Sequence, residues 1–217
     1  DKDGLTDHEE RAVFQTDHMN SDTDGDGFDD YTEVINGYSP KHVDLKMIEA
    51  DTDDDGLNDA WEVKLGTNLM VQDTDGDGYR DGTEMFSGYS PISDSDRVVE
   101  KSIQISVDNF SLSYYFDGVA LHEDVPVSTG KSYTPTPEGE FTVLARQPVK
   151  HYYGEGYSYP NTKYNLHFTT NYYRYWIHTA YWHDNFGKAG VSGGCVNVRE
   201  EDMKPLYEFA SVGTAVY

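Results

Sequence analysis

Two side chains of this chain could do covalent chemistry together. Cys195 is the sole cysteine and sits in Ser192-Gly193-Gly194-Cys195-Val196-Asn197; His178 lies seventeen residues earlier, in Ile177-His178-Thr179. A thiol attacks as the thiolate, and a free cysteine titrates near about pH 8.5, so a nucleophile working at neutral pH needs a proton acceptor or a cation beside it. A lone thiol in a Ser/Gly-rich turn, with a histidine upstream, is the layout of a cysteine nucleophile and its base. Elsewhere a lone cysteine is more often a small buried hydrophobe. The turn and the histidine argue here for acyl transfer through a thioester.

A second set of residues points to metal. Asp22, Asp24, Asp26, Gly27, Asp30 and Glu33 recur at the same spacing as Asp51, Asp53, Asp55, Gly56, Asp59 and Glu62, and again as Asp73, Asp75, Asp77, Gly78, Asp81 and Glu84. All three fit the calcium-loop spacing D-x-[DN]-x-[DN]-G-x5-E. Asp1, Asp3, Gly4, Asp7 and Glu10 fit the same frame with its first residue missing. Calcium takes six to eight oxygens. Carboxylates at positions one, three and five can curl around it. Position six turns, position seven (Leu5, Phe28, Leu57, Tyr79) offers its carbonyl and leaves a side chain free to pack, and the glutamate at twelve closes the shell. The aspartate at nine (Asp7, Asp30, Asp59, Asp81) is expected to add a ligand or hold a water. A short helix should follow each complete loop and end at Gly37, Gly66 and Gly88.

These repeats resemble the bacterial thrombospondin type 3 calcium repeats, including Leu65-Gly-Thr-Asn68 leading into Asp73-Thr-Asp-Gly-Asp-Gly78. Paired EF-hands place an apolar residue at position eight, where this chain has Thr6, Asp29, Asn58 and Arg80, and dockerin modules match less well. A linear, calcium-stabilised array is therefore expected, without a calcium-triggered opening.

Charge divides the chain. Residues 1–97 carry 27 Asp+Glu against 7 Lys+Arg, a net of −20; residues 98–217 carry 13 against 9, a net of −4. The acidic half excludes nucleic acid as a partner, because phosphate binding needs a basic face. One cysteine allows no intrachain disulfide, so the redox compartment stays open. No apolar run approaches the roughly 20 residues of a membrane span. The chain opens inside a repeat, at Asp1-Lys2-Asp3-Gly4, so the natural N-terminus is expected upstream, together with any signal or anchor. Two domains follow: a calcium-repeat module over 1–97 and a catalytic domain over 98–217.

The elements that must position the thiol are strands. Ser102–Val107 and Phe110–Tyr115 alternate apolar and polar, Asp117-Gly118 is a hairpin signal, Val119–Val127 returns, and Glu140–Leu144 follows. Arg199–Phe209 is the one helical stretch, with Met203, Leu206, Tyr207 and Ala210 on one face. The fold class predicted is mainly β, a sandwich with one short C-terminal helix, preceded by an irregular array of calcium loops with short helices. The tyrosine-rich stretch His151–Tyr175 is expected to be mostly sheet and core, with some rings lining a groove or lid. Ser128-Thr-Gly-Lys131 has the letters S-x-x-K, but neither S-D-N nor K-T-G follows, and it is discounted as a nucleophile motif. His122, His151 and His167 are expected to be structural or surface residues. His8, His18 and His42 are poor ligands for calcium.

Four ordered strings carry a resemblance across the second half: Pro126-Val-Ser-Thr-Gly-Lys131, Thr134-Pro-Thr-Pro-Glu-Gly-Glu-Phe141, Ile177-His-Thr-Ala-Tyr-Trp-His-Asp-Asn-Phe-Gly187 and Ser192-Gly-Gly-Cys-Val-Asn197. Together they resemble the L,D-transpeptidase (YkuD) family of cell-wall enzymes. The resemblance implies a β-sandwich with the cysteine in a deep groove under a hairpin lid, at the extracytoplasmic wall or surface of a bacterium. It implies that Cys195 attacks the carbonyl after the third residue of a peptidoglycan stem peptide, that His178 serves as base, that the Thr179 carbonyl orients the imidazole, and that the N–H groups of Gly194 and Cys195 hold the oxyanion. The product would be a 3→3 cross-link, and carbapenem-type inhibitors would acylate the thiol. The chain departs from the family at Gly193, where histidine is usual; His183 is a candidate substitute. An L,D-carboxypeptidase, and an inactive calcium-binding surface protein, are the alternatives. The repeats would serve as a spacer or adhesion element toward a wall or surface partner. Catalysis itself implies no cofactor.

Overall fold

A computed structural model of the protein describes residues 1–94, 97–170 and 174–217. It divides into two compact units, Asp1–Val98 and Val99–Tyr217.

In the first unit each acidic loop runs straight into a short helix: α1 (Asp7–Glu9, extended by a π turn over Glu10–Phe14), α2 (Asp30–Ile35), α3 (Asp59–Leu65) and α4 (Asp81–Ser87). The residue at loop position eight begins the helix. Asp29 accepts from the Thr32 N–H, Asn58 from the Trp61 N–H, and Thr6 forms a reciprocal capping box with Glu9. A polar residue there satisfies a backbone donor that the first helical turn leaves open, which explains why position eight is not apolar in these three; Arg80 makes no such bond. Gly66 and Gly88 close α3 and α4 in the left-handed conformation. The side chains at position seven do not share one fate: Leu57 is fully buried beside Trp61 and Met85 in the core, while Phe28 and Tyr79 are exposed. The expectation that all of them pack holds for Leu57 alone of these three.

Neighbouring loops touch in pairs. One oxygen of Asp3 accepts from the Tyr31 N–H, and one oxygen of Asp55 accepts from the Gly82 N–H at 3.0 Å. A side chain at Gly82 would meet backbone atoms of Asp55, Gly56 and Leu57 at 2.7–2.8 Å. The repeats pack through their backbones here, so Gly82 has no room for a Cβ.

The second unit is one curled nine-stranded sheet in the order β4-β9-β1-β2-β3-β8-β7-β6-β5. β1 is Lys101–Ser106, β2 Ser111–Phe116, β3 Val119–Ser128, β4 Phe141–Thr142, β5 Ala145–Gly154, β6 Tyr157–His167, β7 Trp176–Thr179, β8 Val196–Val198 and β9 Ala215–Val216. β3 pairs with β2 over Val119–Pro126 and with β8 at Val127 and Ser128, so it passes from one half of the sheet to the other. Ile103, Leu112, Tyr114, Val127, Ile177, Val196 and Val198 are buried, and α5 (Glu200–Phe209) adds Met203, Leu206 and Phe209. The mainly β class is as predicted.

β5 and β6 form a long antiparallel hairpin whose first strand is mostly exposed. The tyrosine-rich stretch is thus sheet but not core over most of its length, because β5 is the edge of the sheet. Tyr172 and Tyr173 lie outside the described residues.

Candidate active site and metal loops

β7 and β8 lie side by side in parallel, with His178 opposite Asn197. His178 is therefore held on a central, buried strand, and Cys195 precedes its neighbour by one residue. The turn that delivers the thiol is built from the motifs singled out in the sequence. Lys131 N–H and Thr134 Oγ1 donate to the Ser192 carbonyl, at 3.1 and 3.0 Å. Thr136 Oγ1 donates to the Gly194 carbonyl at 3.1 Å and accepts from the Gly130 N–H at 2.9 Å. The four strings thus pack as one unit. Ser128 donates to the Ala189 carbonyl at 2.7 Å and is fully buried, consistent with a structural role.

Gly194 has φ +119, and a Cβ there would sit 2.3 Å from the Tyr175 ring. Its N–H donates to Ser192 Oγ at 3.0 Å, and that hydroxyl donates to the Cys195 carbonyl at 2.6 Å. In this conformation the serine hydroxyl takes the Gly194 N–H, so that donor can face an oxyanion only after the hydroxyl releases it. At Gly193 the space around a Cβ is open.

His178 commits both ring nitrogens. Nδ1 donates to the Thr179 carbonyl at 2.7 Å, and Nε2 lies 3.2 Å from Asn197 Nδ2. Thr179 is in turn clamped to Lys163 of β6 by both its hydroxyl bonds, 3.1 and 2.9 Å. The Tyr152 ring stacks on His178 with centroids 4.4 Å apart, and Trp182 lies at 5.9 Å. Trp182 stacks on Tyr159 of the hairpin at 3.8 Å. Burial pushes His178 down to about 4, with His183 and Lys150 adding to the effect, although its bond to Thr179 opposes it. Burial pushes the Cys195 thiol up to about 11, against the Trp176 N–H that donates to it and the charge of Lys150. Both groups are consequently neutral at pH 7. A standing thiolate–imidazolium pair is disfavoured.

Lys150 lies 4.8 Å from the Trp176 ring and 5.4 Å from the Tyr152 ring. Sequence reasoning assigned no role to Lys150, Tyr152, Thr136 or Asn197. Thr136 and Asn197 stood inside quoted motifs and Tyr152 inside the tyrosine-rich stretch; Lys150 gave no local signal. His183 sits on Asn197, at 3.1 Å between His183 Nε2 and Asn197 Oδ1.

In the first unit, Asp22/Asp24/Asp26, Asp51/Asp53/Asp55 and Asp73/Asp75/Asp77 each bring carboxylate oxygens within 4.8 Å of one another. The first aspartate of each loop accepts from backbone N–H groups inside the loop, as Asp22 does from Gly25 and Gly27. One oxygen at position three (Asp24, Asp53, Asp75) and one at position twelve (Glu33, Glu62, Glu84) is buried with no hydrogen-bond donor; Glu10 shows the same. Burial and the neighbouring aspartates raise Glu33 to about 8, Glu62 to about 9 and Glu84 to about 7. A buried, unpartnered carboxylate oxygen is costly unless a cation or donor meets it. The residues therefore fit a hard divalent cation.

The ninth-position aspartates do something else. Both oxygens of Asp30 accept from Thr23, those of Asp59 from Thr52 and those of Asp81 from Thr74, at 2.6–2.9 Å. Their carboxylates clamp the second residue of the loop, a structural bond that the spacing did not predict. Asp7 is exposed and faces Arg11 at 3.9 Å.

Comparison with known proteins agrees with this division. Residues 100–217 match the L,D-transpeptidase catalytic domain, and residues 22–37, 51–68 and 73–88 match the bacterial TSP3 repeat. Among solved structures, the chain is similar to an L,D-transpeptidase from Mycobacterium smegmatis, at 28% identity and TM-score 0.50, over 55% of this chain and 58% of that one. It is similar to one from Mycobacterium tuberculosis H37Rv at 25% identity and TM-score 0.50, over 55% and 57%. The L,D-transpeptidase LdtMt1 in complex with imipenem shares the fold at 20% identity and TM-score 0.50, over 55% and 58%. The chain thus spans little more than half the length of these structures. No curated protein matches it.

Proposed function

The chain belongs to the L,D-transpeptidase catalytic-domain family (YkuD) through residues 100–217, and from that premise we propose that it forms 3→3 cross-links in peptidoglycan through a Cys195 acyl-enzyme. The observation that supports this best is the His178 tautomer. Nδ1–H is donated to the Thr179 carbonyl, which leaves the lone pair on Nε2, the nitrogen that can act as base once it gives up the Asn197 amide. Cys195 Sγ attacks the carbonyl carbon after the third residue of a stem peptide while its proton passes to His178 Nε2, which exchanges the Asn197 amide for the thiol. The tetrahedral oxyanion forms against backbone N–H groups of the Gly194–Cys195 turn, once Ser192 Oγ has released Gly194. Collapse breaks the C–N bond to the terminal D-alanine, and the proton on Nε2 goes to the leaving amine. The acceptor amine of a second stem then attacks the thioester, gives its proton to Nε2 and releases the thiolate, which recovers that proton.

The aromatic hairpin supports a groove that excludes water. Tyr152 covers the imidazole and Tyr159 packs on Trp182, which favours an amine acceptor over hydrolysis. Calcium would be held by Asp22, Asp24, Asp26 and Glu33, and by the equivalent residues of the next two loops, with the carbonyls of Phe28, Leu57 and Tyr79; it would supply the positive charge that the buried carboxylates lack. The calcium-filled repeats would act as a spacer at an extracytoplasmic surface. Among the described residues no helix is long and apolar enough to cross a membrane.

Incubation with wall sacculi followed by muropeptide mass spectrometry tests the activity. Cross-linked 3→3 dimers support the reading. Trimmed monomers would make the protein an L,D-carboxypeptidase, and unchanged sacculi would make the domain inactive.

A further inference from the structure

A chain of four hydrogen bonds runs through the base, and its direction is set at both ends by groups that cannot switch role. At one end the Asn185 backbone N–H donates to His183 Nδ1 at 3.2 Å. A neutral His183 must then carry its proton on Nε2, which donates to Asn197 Oδ1 at 3.1 Å. That contact turns the Asn197 amide so that Nδ2–H faces His178 Nε2, 3.2 Å away. At the other end His178 Nδ1–H meets the Thr179 carbonyl at 2.7 Å. An N–H can only donate and a carbonyl can only accept, so each of the three side chains between them has one orientation left.

We propose that His183, acting through Asn197, is the positioning residue that holds His178 in the tautomer able to receive the thiol proton, and that it disfavours the imidazolium. The proposal rests on the reading of Cys195 and His178 as nucleophile and base. Protonated His178 would set an Nε2–H against the Asn197 Nδ2–H. Turning the amide to relieve this would set Nδ2–H against His183 Nε2–H. Moving that proton to Nδ1 would set it against the Asn185 N–H. The proton taken from Cys195 is therefore held briefly and passed readily to the leaving amine. Asn197 is fully enclosed and His178 is 3% exposed, so water offers little relief. The other titratable or charged groups around the ring are Tyr152 and Lys150 of β5 and Cys195 before β8. They bear on the charge of His178 but do not orient Asn197.

The test is the side-chain 15N spectrum of His178 across pH, in the full chain, beside the pH profile of Cys195 acylation by a carbapenem. Wild type should show protonated Nδ1 and bare Nε2. In His183→Ala the amide is free to turn, so the His178 titration and the acid limb of acylation should both rise, by on the order of one pH unit. His183→Gln, which keeps an N–H donor for Asn197, should restore most of the wild-type behaviour. Asn197→Asp serves if His183→Ala does not fold: its carboxylate accepts from both rings, so the His178 titration should rise by more than about one unit. An unshifted titration and tautomer in His183→Ala, or in Asn197→Asp, overturns the proposal. The spectrum needs no turnover, so a wild type that carbapenem does not acylate would sink the catalytic reading and leave the relay measurement standing.

Discussion

Replacing Glu62 with glutamine separates what calcium does from what the fold does alone. Glu62 is fully buried at the twelfth position of its loop, with one oxygen unpartnered and the other 3.4 Å from Thr67 Oγ1. Asp53 and Asp55 lie close enough to raise it further. Without calcium the group, raised to about 9, is protonated at pH 7, and taking up that proton costs the fold stability. Glu62→Gln keeps the shape and needs no such proton, which should stabilise the calcium-free first unit by on the order of 1–3 kcal/mol. That unit spans Asp1–Val98. At about 2.1 cal/mol/K per residue its unfolding entropy is about 0.2 kcal/mol/K, so its transition in chelator should rise by about 5–15 °C. Calcium works in the other direction. A loop with Kd near 0.1–1 mM gains about 1.4–2.7 kcal/mol at about 10 mM free calcium. The three complete clusters together give wild type a calcium-dependent rise of about 20–40 °C. The variant should lose about a third of that increment. Scanning calorimetry with calcium and with chelator measures both quantities, and the transition of residues 99–217 serves as the reference. A calcium-free variant that melts lower than wild type, or an undiminished calcium increment, would refute the assignment of Glu62 as a ligand.

Four other outcomes are expected. Cys195→Ala should fold normally and form no carbapenem adduct by intact mass, while His178→Ala should lose acylation rate by about 100-fold or more. Acylation should be level between about pH 5 and pH 10, because His178 titrates near 4 and Cys195 near 11; limbs near about 6.5 and 8.5 would show that burial shifts neither group. The same depression of His178 makes the unfolded chain bind more protons than the folded one between pH 6.5 and 4, so stability should fall through that window by about 3 kcal/mol, read by denaturant unfolding. Gly82→Ala should lower the first unit's stability by about 1–3 kcal/mol, since the added Cβ strikes the backbone of residues 55–57 at 2.7–2.8 Å; an unshifted melting curve would show that the loops do not pack as described.

What the sequence alone determined is what lies close along the chain. Each acidic loop is twelve consecutive residues, so the clustering of its aspartates and the placing of the glutamate that ends it follow from spacing. Helix caps are equally local, and Gly66 and Gly88 act where the spacing placed them. The alternation of Ser102–Val107 marks a strand because side chains on a strand change face at every residue. The alternation said nothing of where that strand pairs, and the parallel pairing of β7 with β8 that sets His178 opposite Asn197 belongs to the tertiary structure. So does the arrival of Tyr152 over the imidazole, since a hairpin brings it from a distant part of the chain. The bonds of the ninth-position aspartates to threonines of the same loop are also tertiary, held by a turn that only three dimensions close. The Ser192 hydroxyl that takes the Gly194 N–H likewise reaches it only through the closure of the turn. The neutrality of Cys195 and His178 at pH 7 is likewise tertiary: a residue type sets the ordinary titration of a group, but burial and the charges gathered around it decide where the group titrates in the fold.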